Sequence, residues 1–406
     1  MLAFGCAYCG QLVFFENSTC LRCGSALGVA PSARRLITLV DAGEGLFRER
    51  PAVADEAAAL AAEITATAGA PGGGSPGGGA PGGGGAVPAE PPRPRYRRCG
   101  NVDLVGCNWL IELPPGAAEP PPGQLCASCR LTRTRPNDAD TSAAELFVRA
   151  EAAKRRLVFQ LLDLGLPIVS HTDDPHGGLA FDLLSSTYEP VVTGHDDGVI
   201  TLDLAESDDA HRENVRARLG EPYRTLLGHF RHETGHYYWP RLVDADPAVT
   251  GRFRQLFGDD RVDYGESLER HYKEGASGDW SERYVSAYAT MHPWEDWAET
   301  FAHYLHIRDT LQTAAEYGLR TDGPDPRRFG VALERFVARP TPLEPAARRG
   351  AAGFDEIAAQ WLPLTYALNA VNRSMGFDDL YPFVLTATVL DKLSFVHDLT
   401  TARATS

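Results

Sequence analysis

All eight cysteines of this 406-residue chain fall between Cys6 and Cys129, and none follows. A thiol-rich front end ahead of a long thiol-free stretch requires two different ways of holding a fold together. Cys6-x2-Cys9 and Cys20-x2-Cys23 are each followed by glycine. Two cysteines at that spacing form a tight knuckle whose backbone N–H groups can stabilise thiolates, and two knuckles supply the four soft ligands of a structural zinc. Cys99, Cys107, Cys126 and Cys129 form a second set, in which only the last pair has knuckle spacing. That set reads as a second structural zinc, as buried cysteines acting as small hydrophobes, or as ligands shared between the groups. Disulfides are the competing reading for all eight. The opening residues, "MLAFGCAYCG", show no basic region and too short an apolar run for a secretory signal, so a reducing, cytoplasmic compartment is expected. Four thiolates close a zinc shell, so such sites fold a module and do not catalyse.

Composition separates the remainder. Residues 52–68 are alanine-rich and expected to be helical. Eleven glycines follow between Gly69 and Ala86 in a Gly/Pro-rich stretch, which reads as a disordered insertion over about 69–95. The division expected is a zinc-ribbon module over 1–135 and a larger domain over 136–406. Short apolar runs near the start, "LVFF" and "RRLITLV", suggest small strands. A long helix is expected from Thr141 or Ser142, as cap, to Gly165, with Leu146, Ala150, Ala153, Leu157, Leu161 and Leu164 on one face. "VVTGHDDGVITLDLA" reads as a hairpin turning at Asp-Gly, and the pattern from Ala210 onward is mostly helical. A few strands followed by helices indicates an α+β domain. The net charge of −15 argues against a nucleic-acid-binding surface. Arg93, Arg95, Arg97 and Arg98 give one local basic patch, read as solvated. No stretch reaches the roughly 18 apolar residues that a membrane span needs.

The thiol-free region carries "LLGHFRHETGHYYWP", in which a helix is expected to begin near Pro222 and stop at Pro240. His232 and His236, at i and i+4, project from one face and can bind a single ion. Glu233 points to the neighbouring sector, where a carboxylate reaches a metal-bound water as a general base. His229 shares the face but cannot easily complete a tetrahedron from the same straight helix, so it is read as packed nearby. A third ligand is expected from "HPWEDWAETFAHYLHI". There Pro293 opens a helix with Glu295, Ala298, Glu299 and Ala302 on one face. Alanines let that helix approach another closely, so Glu295 can ligate and Glu299 can hold a histidine's other nitrogen.

These segments, with "CLRCG", "CNW", "LCASCRL" and "NRSMGFDDLYPFVL", resemble the bacterial zinc-binding metallopeptidases that carry an N-terminal zinc-ribbon domain. The resemblance spans nearly the whole chain outside the Gly/Pro insertion. It implies a zincin-like, mostly helical domain with a small sheet, preceded by a small zinc-ribbon (rubredoxin-like) module. "YATMHPWEDWAETF" is also similar to the third-ligand helix of gluzincin peptidases. That similarity implies Glu295 as third ligand, Glu299 as a supporting acid and Tyr288 as the hydroxyl that stabilises an oxyanion. Asp296 stands where that pattern has an aromatic residue. Val199–Leu204 is implied as the edge strand along which a peptide pairs.

The expectation is therefore a zinc-dependent peptidase with one catalytic and one or two structural zinc ions, acting on a peptide or protein. The alternative is a catalytically silent protein that uses the same scaffold and its ribbons to recognise a partner. Asn369, Asn372, Arg373 and Ser374 read either as site-lining residues or as a polar helix end.

Overall fold

The computed structural model describes residues 2–52, 94–320 and 353–404. The alanine-rich stretch beyond Ala52 and the Gly/Pro insertion as far as Arg93 lie outside the described residues. The chain divides into two compact units, Phe4–Ala127 and Ser128–Ser406, the latter taking in residues 1–3.

In the first unit, each of the two leading knuckles closes on a glycine in the left-handed region, Gly10 at φ +72° and Gly24 at +70°. Gly10 N–H donates to Cys6 O and Gly24 N–H to Cys20 O, both at 2.8 Å. Strands β1 (Phe4–Gly5) and β2 (Leu12–Val13) pair antiparallel beside the first knuckle. An antiparallel sheet follows in the order β3 (Ala26–Ala30), β4 (Arg35–Gly43), β5 (Leu46–Glu49), β6 (Arg95–Arg98) and β7 (Leu110–Leu113). Ala30, Ile37, Leu39, Tyr96 and Leu110 form its core. The arginines of β6 are less solvated than their charge suggests. Arg95 pairs with Glu119 at 2.8 Å, and Arg98 lies 5.3 Å over the Phe47 ring.

The second unit combines a mixed four-stranded sheet with helices. Helix α1 (Thr141–Asp163) is capped by Asp140, which accepts from Ala143 N–H at 3.1 Å. The cap thus falls one residue before Thr141, on a carboxylate that also complements the helix dipole. Phe147, Ala150, Leu157 and Leu161 are buried, whereas Leu146, Ala153 and Leu164 are only partly so. The apolar stripe is rotated from the expected one because Phe147 takes the core position. The sheet order is β10 (Gly194–Asp196), β11 (Val199–Asp203), β9 (Ala180–Leu184), β8 (Thr132–Thr134). The β10–β11 turn places Asp197 and Gly198 at φ +41° and +85°, as an Asp-Gly hairpin requires. Because β11 pairs with β10 on one side and β9 on the other, Val199–Leu204 is not an edge. The edges are β10 and β8; Leu204 already belongs to a 3-10 turn.

Among the described residues the unit further holds helices α2 (Asp209–Leu219), α3 (Leu226–Leu242), α4 (Pro247–Phe257), α5 (Tyr264–Glu274), α6 (Pro293–Glu316), α7 (Phe354–Ser374) and α8 (Ala387–Ala404). Helix α3 starts later and ends later than the prolines suggest. Thr225 caps it by accepting from Gly228 N–H at 3.0 Å. It runs through Pro240, where the missing N–H costs only one bond in the last turn. The burial of Tyr237, Tyr238, Leu242 and Val243 holds that turn in place. His232 and His236 therefore sit in mid-helix.

Helices α3 and α6 pack backbone to backbone. A Cβ added at Gly235 would lie 2.9 Å from Ala298 Cα. Trp297 Nε1 donates to Gly235 O at 2.8 Å across the same crossing. Gln160 of α1 joins them, donating to Leu305 O at 2.7 Å and accepting from Arg231 at 2.9 Å. Beneath the crossing lie Phe253, Trp297, Phe301 and Phe395, all fully buried, each contributing roughly 1.5–3 kcal/mol through lost apolar exposure. Among the described residues no helix is long and apolar enough to cross a membrane.

Candidate active site

The crossing of α3 over α6 sets three side chains around one point. His232 and His236 lie one turn apart on α3, with ring centroids 5.0 Å apart. Glu295, in the first turn of α6, faces both: its Oε2 is 3.0 Å from His232 Nε2 and its Oε1 3.4 Å from His236 Nε2. Tetrahedral zinc bound at about 2.0–2.1 Å spaces its ligand atoms about 3.3 Å apart, and one ligand atom from each of the three residues lies within 4.8 Å of the others, so the carboxylate stands close enough to both imidazoles for one ion. Glu295 is nearly fully buried, and a desolvated carboxylate needs such a partner.

Glu299, one turn further along α6, accepts from His232 Nδ1 at 2.7 Å, and Ser286 Oγ donates to its other oxygen at 2.6 Å. This fixes the His232 tautomer and turns Nε2 toward Glu295. Burial opposes charge at all three groups, and their mutual hydrogen bonds overcome it. Burial alone would lower His232, but Glu295 and Glu299 raise it well above its ordinary range. Burial alone would raise the acids, but His232 and His236 pull Glu295 far down, and His232 brings Glu299 to about 2. A cluster that retains a proton between two carboxylates is equally suited to a cation, and a metal must displace that proton.

Glu233 is buried beside the pair, and its charge helps raise the phenols of Tyr264 and Tyr288, after burial and Glu295. Tyr288 sits in a 3-10 turn just before α6, its ring 6.0 Å from His232. His229 does not join the cluster: its Nε2 lies 3.3 Å from Glu206. Four participants carry no sequence signal: Tyr264, whose hydroxyl donates to Glu295 Oε1 at 3.0 Å; Ser286; His195 of β10, stacked 6.2 Å from His236; and Lys392. Lys392 of α8 donates to the fully buried Asp296 at 2.6 Å and to Arg283 O at 2.7 Å. That pair gives the buried carboxylate of Asp296 its counter-charge. In the C-terminal segment, Asn369 clamps the Tyr381 backbone in both directions, Asn372 donates to Asp378 O and Arg373 pairs with Asp379. These polar groups, with Ser374 Oγ on Val371 O, secure a loop.

The cysteines form two sets of four. Within each of the sets Cys6/Cys9/Cys20/Cys23 and Cys99/Cys107/Cys126/Cys129, the sulfurs lie within 4.8 Å of one another. None of the eight is in a disulfide. Cys6 and Cys23 sulfurs are 3.7 Å apart, Cys9 and Cys20 3.6 Å, Cys107 and Cys126 3.7 Å. Zinc–sulfur bonds of about 2.3 Å in a tetrahedron require sulfurs about 3.8 Å apart, so both sets fit zinc. The Ser25 hydroxyl and amide bring the Cys23 thiol down to about 6, while burial pushes Cys6 up to about 12.

Residues 143–399 match the family described as "Putative zinc-binding metallo-peptidase", and residues 3–63 and 87–140 match a zinc-ribbon domain. The chain belongs to this zinc-binding metallopeptidase family and carries a zinc-ribbon domain at its N-terminal end. Uncharacterized proteins of Mycobacterium bovis and Mycobacterium tuberculosis are each 46% identical to it over 397 residues, covering 98% of this chain and 94% of theirs. No solved structure matches the chain.

Proposed function

We propose that the chain is a zinc-dependent peptidase of the gluzincin type, on a zincin-like fold, with His232, His236 and Glu295 as ligands of the catalytic ion. The observation that carries this is the convergence of two imidazoles and one buried carboxylate from separate helices, with Glu299 behind His232. When bound, zinc supplies Lewis acidity toward the scissile carbonyl and lowers the pKa of a water to about 7. Glu233 takes the proton from the attacking water and passes it to the leaving amine, a contribution of about 10²–10⁴ in rate. Tyr288 donates its hydroxyl to the developing oxyanion; a raised phenol keeps that proton at neutral pH. Glu299 holds His232 in the ligating tautomer throughout. Strand β10, the edge beside His236, is where an extended peptide can add by main-chain pairing. The two thiolate sets hold structural zinc, and their reduced state suits a cytoplasmic location.

Two variants test this. E233Q is expected to keep the catalytic zinc and to lose cleavage of a peptide library; turnover in that variant removes Glu233 from the role. E295A is expected to carry one zinc fewer than wild type, with the thiolate-bound zinc unchanged. An unchanged zinc content removes the ligand set.

A further inference from the structure

A second phenol stands at the site with no part in the chemistry above. Tyr264 is the first residue of α5, whose start is fixed by Asp263 accepting from Glu266 N–H at 2.8 Å. Its ring lies 5.3 Å from that of His292. His292 is itself held at both nitrogens: Nδ1 accepts from Trp294 N–H, and Nε2 donates to Val262 O, each at 3.1 Å. Tyr264 is thus aimed by a capped helix end and a pinned imidazole, and its hydroxyl reaches Glu295 Oε1 at 3.0 Å.

The two oxygens of Glu295 are not equivalent. Oε2 lies nearer an imidazole, 3.0 Å from His232 Nε2, while Oε1 is 3.4 Å from His236 Nε2 and also accepts from the phenol. A hydrogen bond to one carboxylate oxygen withdraws charge from it and occupies a lone pair, which makes the other oxygen the better ligand. We propose that Tyr264 is a positioning residue that holds Oε1 and so presents Glu295 to the ion through Oε2 alone. One-oxygen ligation conserves a coordination position for solvent, which an open catalytic site requires. The inference rests on the ligand set proposed above. Tyr272, on the same helix and 72% exposed, is the control for loss of a phenol as such.

The test is metal binding. Y264F keeps the ring against His292 and removes only the hydroxyl. The zinc that wild type holds and E295A lacks is titrated against a chelator, and the same difference is taken between cobalt-loaded proteins. Y264F is expected to bind this ion about tenfold more weakly, within the range for lost partners of a ligand. Its cobalt d–d bands are expected to weaken as Glu295 turns bidentate, while Y272F matches wild type. A competition curve and cobalt spectrum for Y264F identical to wild type would overturn the proposal. So would an intact site in Y264F with loss only in Y264L, because ring packing then accounts for the effect. If wild type and E295A bind zinc alike, the ligand set itself fails, and that outcome is read independently of Tyr264.

Discussion

Gly235 lies between the two candidate histidine ligands, at the closest approach of α3 to α6. In G235A the new methyl meets Ala298 Cα at 2.9 Å, Ala298 O at 3.3 Å and Phe301 Cβ at 3.3 Å. Carbon atoms rest at about 3.5–4.0 Å, so the helices must separate by roughly 0.5–1 Å, because a backbone cannot rotate aside. Alanine gains about 1 kcal/mol in helix propensity, and overpacking costs about 1–3 kcal/mol. The net loss of stability is therefore small, on the order of 0–2 kcal/mol. The effect on the site is larger. His232 and His236 move with α3 while Glu295, one turn before Ala298, moves with α6, and zinc sites tolerate only about 0.2 Å in ligand distance. G235A is expected to stay folded by thermal melting, yet lose catalytic-site zinc in a chelator competition that leaves the thiolate zinc in place. Wild-type zinc affinity in a folded G235A would refute the claim that this crossing sets the site.

Two more expectations follow from the ion pair and the thiolates. K392M strands the buried Asp296, a loss of about 3–5 kcal/mol, seen as a lowered melting temperature. Burial already lifts Asp296 to about 7 despite Lys392, against about 3.9 in an unfolded chain. A carboxyl with a raised folded pKa favours folding when protonated, so its contribution is lost as pH rises from about 4 through 7. The K392M deficit should thus be larger at pH 8 than at pH 5; equal deficits would show that Asp296 is not the group responsible. C20S and C107S should each carry one zinc fewer than wild type by elemental analysis, and the double variant two fewer. A variant with full zinc content would dismiss its set as a metal site.

The legible parts of this protein are the local ones. Cys-x2-Cys-Gly closes within a few residues, because glycine alone enters the left-handed region freely, so the leading knuckles could be read directly. His232 and His236 were equally readable, since i and i+4 on a helix share a face whatever surrounds it. Glu295 and Glu299 were reachable because small residues beside buried carboxylates announce a close helix contact. Less local features leave no such mark. Asp140 rather than Thr141 or Ser142 caps α1, Thr225 rather than Pro222 begins α3, and burial beyond Pro240 carries the helix past it. Val199–Leu204 lies inside the sheet and not at its edge because β9, distant in sequence, pairs with its second side. Tyr264 lies 31 residues from Glu295, and Lys392 lies 96 from Asp296. No periodicity links such positions.

Residue order alone carries the inventory: two groups of thiols, an imidazole pair on one helix and a carboxylate pair on another. Those follow from backbone geometry over one or two turns, which side-chain spacing reports faithfully. Packing between distant segments brings Gly235 to Ala298, turns Oε1 of Glu295 to a phenol, and sets β10 beside the site. These depend on how helices and strands pack at a distance, where the balance among shape, burial and charge is summed over the whole unit.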